Sequence, residues 1–98
     1  MSDKIRKLSD AIKFGSTFIG ETKIFFGDDY KCGCAIGTAY LAVINSNPSD
    51  AISPDSIFDP LAERFGVPKE VIADVSVSHF RGEMNRAECA SWLESKGY

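Results

Sequence analysis

The segment from Gly33 to Asn45 constrains the fold of this chain more than any other. Its central part, Cys34 to Ile44, reads CAIGTAYLAVI and contains no charged side chain. A helix that is apolar on nearly every face is buried on nearly every face. The segment therefore predicts a central helix that other elements surround. Gly37 costs such a helix about 1 kcal/mol relative to alanine, and we expect close packing of neighbouring helices to offset that cost.

The length and composition fit one domain built around such a helix. The 98 residues are 44% hydrophobic and 26% charged, which is typical of a single soluble domain. No repeat, low-complexity tract or linker divides residues 1–98, and no apolar run approaches the roughly 18–20 residues of a membrane span. We therefore expect one domain without a membrane partner. The charged N-terminus lacks a signal-peptide core, which predicts a cytoplasmic protein.

Helical periodicity predicts an amphipathic helix before the central one. Ser2 or Asp3 is a suitable N-cap, and the helix ends either at Gly15, as a left-handed cap, or further on. We favour the longer helix, which ends at residues 17–19. Its apolar positions are Ile5, Leu8, Ala11, Ile12 and Phe14.

Further helix signals follow the central helix. Ser53-Pro54 and Asp59-Pro60 each match a cap residue followed by proline in the first helical turn, and Gly66 is a stop signal. Pro68 begins a helix over residues 68–79. The last helix, over residues 85–96, begins with Asn85 and Glu88 at capping-box spacing, and Gly97 closes it.

Residues 22–32 have a different character. They contain strand formers on both sides of a Gly27-Asp28-Asp29 turn signal, which predicts a short hairpin or an irregular loop. The predicted fold is therefore mainly α, a single compact bundle of four to five short helices with one small β-hairpin near residues 22–32. The predicted core consists of Leu8, Ile12, Ile36, Tyr40, Leu41, Phe65, Val71, Ile72, Val75, Trp92 and Leu93.

The cysteines and the single histidine do not form a catalytic or metal-binding motif. Cys32, Cys34 and Cys89 are an odd number without an export signal, which predicts reduced thiols. Together with His79 they would supply four zinc ligands, but Cys32-Gly33-Cys34 lacks the usual two-residue spacing. Cys34 and Cys89 also occupy positions where we expect small apolar side chains to pack between helices. We expect His79 to cap a helix or lie at the surface. The sequence thus predicts no catalytic, cofactor-binding or metal-binding residue and no enzyme. A cysteine-dependent enzyme that pairs a thiol with His79 is the less favoured alternative.

The charge distribution bears on nucleic-acid binding. Residues 1–48 hold six basic and five acidic residues, a net charge of +1, whereas residues 49–98 hold five and nine, a net charge of −4. An acidic half repels phosphates. The alternative function that we keep is a nucleic-acid-binding accessory protein, in which the helices at 68–79 and 85–96 act as a helix-loop-helix. The few basic groups of the second helix, Arg86 and Lys96, do not favour it.

A small acidic helical domain without a chemical site is typically a protein-interaction or regulatory module. Aromatic residues are enriched at interface centres, and Phe25, Phe26 and Tyr30 lie beside the carboxylates of Asp28 and Asp29. We predict that these residues contact a protein partner or a second copy of the chain. Tyr98 is a further exposed aromatic candidate. The alternative is a hairpin that closes over the helices with both phenylalanine rings buried.

Three short segments resemble a loose group of small bacterial and prophage proteins. The segments are LSDAI at residues 8–12, CAIGTA at 34–39 and RAECASWLE at 86–94. The group shares a Leu-Ser-Glu/Asp-Ala-Ile opening, a Cys-Ala-Leu-Gly-Ala-Ala helix and a close of the type Arg-Glu-Glu-Ile-Ala-Asp-Trp-Leu-Glu. This chain has Ser78-His79 where the group often has Asn-Asp. The group has no established activity, so the resemblance implies a helical fold rather than a function.

Overall fold

The described residues form five helices and one short pair of strands. The structure is a computed structural model and describes residues 5–22, 32–44 and 54–98. The mainly α fold predicted from the sequence is confirmed, and no described helix is long and apolar enough to cross a membrane. In chain order the elements are α1 (Leu8–Gly15), β1 (Gly20–Glu21), β2 (Cys32–Gly33), α2 (Ala35–Val43), α3 (Pro54–Phe65), α4 (Lys69–Phe80) and α5 (Arg86–Ser95).

Helix α2 is the centre of the fold, as its composition predicts. Every residue from Ala35 to Leu41 is buried, and α2 contacts the other four described helices and β2. An apolar surface on all sides lets each neighbour bury its own apolar stripe against the same helix. The helix is shorter at both ends than the predicted span of residues 33–45.

Helix α1 is shorter than predicted and ends at Gly15. Ser2 and Asp3 lie outside the described residues, but residues 5–7 are not helical and Lys7 is the N-cap. Gly15 does not have the positive φ of a left-handed cap. It is buried against α2, where a Cβ would lie 2.5 Å from Thr38 Cγ2 and 3.0 Å from the Thr38 carbonyl oxygen. The preference for a helix end at residues 17–19 was wrong, because close packing on α2 occurs at the glycine and the chain turns away after it.

Helix α3 is continuous through Pro60, so the predicted helix start at Asp59-Pro60 was wrong. An interior proline removes one backbone hydrogen bond and costs about 3 kcal/mol. Ile57, Phe58 and Leu61 lie on both sides of it and are buried. Burial of each such side chain stabilises the fold by roughly 1.5–3 kcal/mol, which offsets the loss.

The predicted helix stops and the capping box are confirmed. Gly66 and Gly97 have φ of 64° and 87°, and Gly82, with φ of 76°, ends α4 in the same way. Left-handed glycines at these positions let the following N–H groups bond back to the last turn. At the start of α5, Asn85 and Glu88 make both hydrogen bonds of a capping box.

The strands β1 and β2 pair in parallel, with Gly20 opposite Cys32 and Glu21 opposite Gly33. The hairpin predicted near residues 22–32 depends on residues 23–31, which lie outside the described residues. Strands joined by a hairpin are antiparallel, so the β1–β2 pair is a separate feature that holds the two ends of that segment together.

The core agrees with the prediction for eight of its eleven members. Phe65, Val71 and Trp92 are only partly buried and pack against the outside of the core. Trp92 therefore contributes less to stability than a fully buried indole, whose loss costs roughly 3–5 kcal/mol. The other eight are buried, namely Leu8, Ile12, Ile36, Tyr40, Leu41, Ile72, Val75 and Leu93.

Candidate functional site

A polar cluster lies where four parts of the fold meet. They are β1, the first turn of α2, the last turn of α4 and the first turn of α5. The cluster consists of Glu21, Thr38, His79 and Arg86, together with backbone groups of the strands and of α2. Buried polar groups are nearly always hydrogen-bonded, and here each side chain has at least one partner in a distant part of the chain.

His79 is the centre of this cluster. The expected surface position was wrong, whereas a capping role is present, because the ring accepts an N–H at the start of α2. It is in the last turn of α4 and only 2% exposed. The Ala35 backbone N–H donates to Nδ1 at 2.9 Å, and Nε2 lies 2.9 Å from Glu21 Oε2. Because Nδ1 accepts a hydrogen bond, Nε2 carries the ring proton and donates it to Glu21. His79 is thus neutral in this geometry and joins β1 to α2.

Glu21 completes the connection to α5. Its Oε2 also accepts the backbone N–H of Arg86 at 2.9 Å. Burial raises the pKa of the Glu21 carboxyl, but the hydrogen bonds from the Arg86 N–H and the His79 ring outweigh it, so the pKa lies below its ordinary value. Glu21 therefore stays ionised at neutral pH and accepts two hydrogen bonds at one oxygen.

Arg86 points into the fold rather than away from it. The residue is 8% exposed. Its Nη1 donates to the Gly20 carbonyl and to Thr38 Oγ1, both at 3.0 Å, and lies 3.5 Å from the Gly33 carbonyl. The guanidinium therefore holds the strand pair against α2. It is not available to phosphates, which removes one of the two basic groups that the nucleic-acid alternative placed on the last helix.

The two described thiols are buried and free. Cys34 is the N-cap of α2, where its Sγ accepts the Gly37 N–H, and Cys89 is fully buried in α5. Burial raises the pKa of both thiols, that of Cys89 to about 11. Both ring nitrogens of His79 are already bonded elsewhere. Cys34 and Cys89 therefore do not form a thiolate–imidazole pair with it.

The cluster opens to solvent at one cleft. The cleft has a volume of about 590 Å³. Within residues 5–22, 32–44 and 54–98, no three His, Cys, Asp or Glu side chains are placed to hold one metal ion. The cleft is lined by Glu21, Thr22, His79, Gly82, Met84, Asn85 and Glu88.

The predicted contact residues Phe25, Phe26, Asp28, Asp29 and Tyr30 lie outside the described residues, and their role stays a prediction. The further candidate, Tyr98, was wrongly expected to be exposed. Its side chain is partly buried against the core, and its carbonyl accepts the N–H of Ser9 in α1 at 3.1 Å. This contact attaches the chain end to α1.

The described surface exposes three other large apolar side chains. Phe80 is 64% exposed, Phe18 59% and Val77 46%. Val77 and Phe80 are three residues apart in α4 and are therefore neighbours on its outer face. The sequence pattern predicted a helix that ends at residue 79, one residue before Phe80, so this pair was not predicted. Phe18 packs edge to face on Phe14, with ring centroids 5.3 Å apart.

Comparison with known proteins adds no assignment. No family model, no curated protein and no solved structure matches this chain. The resemblance to small bacterial and prophage helical proteins stays a prediction.

Proposed function

We propose that this chain is a small intracellular protein-interaction or regulatory module, which binds a partner protein or a second copy of itself. The observation that carries the proposal is the exposed apolar pair on α4. Phe80 and Val77 lie side by side in the last turns of the helix, 64% and 46% exposed. Isolated apolar side chains are common on surfaces, whereas contiguous apolar patches rimmed by polar groups mark contact sites. Phe80 is also an aromatic residue, the kind enriched at interface centres.

The bonding of the polar cluster supports a structural role for His79 over a catalytic one. Glu21, His79 and Arg86 bond to one another and to the backbone of β1, β2 and α2. A catalytic base or nucleophile must have a lone pair within reach of its substrate. Here the ring lone pair at Nδ1 is bonded to the Ala35 N–H, and the described thiols are buried. The cluster therefore stabilises the fold and positions the last turn of α4, which presents Phe80.

The predicted contact segment is part of the same proposal. Phe25, Phe26, Asp28, Asp29 and Tyr30 belong to the chain between β1 and β2. These strands pair with each other, and Glu21 of β1 bonds to His79, the residue directly before Phe80. Glu21, four residues before Phe25 in the chain, is therefore attached to the helix end that presents Phe80.

The proposal is tested by removing the exposed ring and comparing a buried one. We expect Phe80→Ser to keep the melting temperature and to weaken association, because its ring is already in water. Phe58→Ser, whose ring is only 8% exposed, is the matched control and should lower the melting temperature strongly. Association is measured by sedimentation velocity over a range of concentrations, and by affinity capture from an extract of the source cells.

The same measurements apply to Phe25→Ser and Phe26→Ser, where one ring should behave like Phe80. If each of these variants unfolds the domain, both rings belong to the core and the segment is not a contact surface. If the wild type stays monomeric and captures no protein from the extract, the proposed function is wrong. If it captures proteins that Phe80→Ser captures equally well, Phe80 is not the contact.

A further inference from the structure

A groove between α4 and α5 combines an apolar floor with two carboxylates. Its volume of about 260 Å³ is below the roughly 300–1,000 Å³ of small-molecule pockets. The groove therefore fits a single side chain better than a cofactor or metabolite. It is lined by Asp74, Val75 and Ser78 of α4, Glu83 and Met84 of the connection, and Trp92 of α5.

The two carboxylates of the groove lack a cation. Asp74 and Glu83 are exposed, and neither forms an ion pair within the described part of the chain. The lysine of α4, Lys69, is bound instead by two carboxylates of α3, at 2.7 Å and 3.1 Å. Two negative charges at the rim of an apolar groove attract a cation that has an apolar stem.

Trp92 makes the floor of the groove suitable for such a cation. Its side chain is half-buried, beside the half-buried Met84. The face of an indole attracts cations, as the ammonium of Lys96 shows by lying 5.6 Å from the centre of this ring. Lys96 itself does not line the groove. Tryptophan is also among the residues that contribute most to binding energy at protein interfaces.

We propose that this groove binds an arginine side chain presented by the partner protein. The aliphatic stem lies on Val75, Met84 and Trp92, and the guanidinium meets the carboxylates of Asp74 and Glu83. Arginine fits better than lysine because its planar guanidinium stacks on an indole and bonds to carboxylates at the same time. The inference rests on the proposed function and adds the chemistry of the partner's contact residue.

The single tryptophan of the chain makes the groove directly observable. Trp92 is the only tryptophan among the 98 residues, so the tryptophan fluorescence comes from one residue, which lines this groove. The probe is the blocked tripeptide acetyl-Ala-Arg-Ala-amide, titrated at low ionic strength, where screening is weak. We expect a saturable change in emission. The same peptide with citrulline, which is neutral and nearly isosteric with arginine, should bind at least tenfold more weakly.

Charge-removing variants test the two carboxylates. Asp74→Asn combined with Glu83→Gln should weaken binding of the arginine peptide at least tenfold without changing the melting temperature, because both side chains are exposed. Glu70→Gln is the matched control, since it removes an exposed carboxylate of the same helix outside the groove, and should bind like the wild type.

Three results would overturn the inference. They are equal binding of the citrulline peptide, unchanged binding by the double variant, and the absence of a saturable response. Each is independent of the Phe80 experiment. If the chain associates through Phe80 but does not bind the arginine peptide, the proposed function stands and the groove is not the contact. The reverse outcome retains the groove and rejects Phe80 as the contact.

Discussion

His79 connects three segments that are far apart in the chain. Its two nitrogens link α4 to the first turn of α2 and to β1, over sequence separations of 44 and 58 residues. The Ala35 N–H that it accepts belongs to the unpaired donors at a helix start. A side chain that satisfies such a donor inside the fold stabilises both the helix start and its docking.

We predict that His79→Phe lowers the free energy of unfolding by roughly 1–3 kcal/mol, because the buried Ala35 N–H loses its acceptor. His79→Asn is the control, since its Oδ1 is the same number of bonds from Cα as Nδ1 and keeps that hydrogen bond. Urea unfolding gives the stability, and hydrogen exchange of the Ala35 amide gives the local effect. Faster Ala35 exchange is expected for His79→Phe only. Equal exchange in both variants would contradict this role for Nδ1.

Sequence reasoning was able to place His79 but not to assign its partners. It follows Ile72 and Val75 at helical spacing, so the pattern already put it on the buried face of α4. The expectation of a cap or a surface position for His79 missed that signal. Glu21 and Arg86 were not predictable as its neighbours, because nothing local in the sequence encodes contacts over such separations. The same holds for the burial of Arg86, since arginine is rarely buried.

At the level of the helices, local sequence signals correctly predicted the helix ends that depend only on residues close together in the chain. The capping box at Asn85, the stop at Gly66 and the stop at Gly97 all depend on hydrogen bonds within a few residues. The end of α1 and the continuation of α3 through Pro60 depend on packing against other helices. Tertiary contacts of this kind override local propensity, which is why both boundaries were predicted wrongly.

Gly15 gives a test of this packing. Alanine is favoured over glycine in a helix by about 1 kcal/mol, so Gly15→Ala would stabilise an isolated helix. In the protein its Cβ would lie 2.5 Å from Thr38 Cγ2. We therefore expect a loss of roughly 1–3 kcal/mol, as for other overpacked positions, measured by urea unfolding.

The matching second variant is Thr38→Ser, which removes the Cγ2 methyl group and keeps the hydroxyl that bonds to Arg86. In the Gly15→Ala background it should recover part of the lost stability. The contacts with the Thr38 carbonyl and with Ala42 Cβ, at 3.0 Å and 3.2 Å, prevent full recovery. A Gly15→Ala variant as stable as the wild type would show that α1 shifts without cost.

For the molecule as a whole, one core unites all five described helices. The Cα radius of gyration is 11.6 Å. A folded domain of 100 residues typically has a value of about 13 Å. Cys34 and Cys89 belong to this core, 2% and 0% exposed. Since a thiolate inside such a core is strongly disfavoured, the ionisation of a buried cysteine is coupled to unfolding of the whole domain.

Alkaline pH should therefore destabilise the protein through Cys89. Burial, with smaller effects of Cys34, Glu21 and Glu88, raises the pKa of this thiol from 9.0 to about 11. Between these two values the unfolded chain has lost the proton that the folded chain still holds, so the free energy of unfolding falls as pH rises. A difference of about two pKa units corresponds to a loss of roughly 2–3 kcal/mol. Below pH 9 both states hold the proton, and the effect is absent.

The Cys89→Ala variant isolates this contribution from the other groups that titrate at high pH. Alanine leaves a small cavity, so the variant should be less stable than the wild type at pH 8, where neither state ionises. Its stability should then fall less steeply up to pH 11, because the unfolded chain no longer gains from ionising this thiol. Urea unfolding at each pH, in the presence of a reductant, gives both curves. Parallel curves would mean that the Cys89 thiol ionises equally easily in the folded and unfolded chains, and that the core around it does not exclude charge.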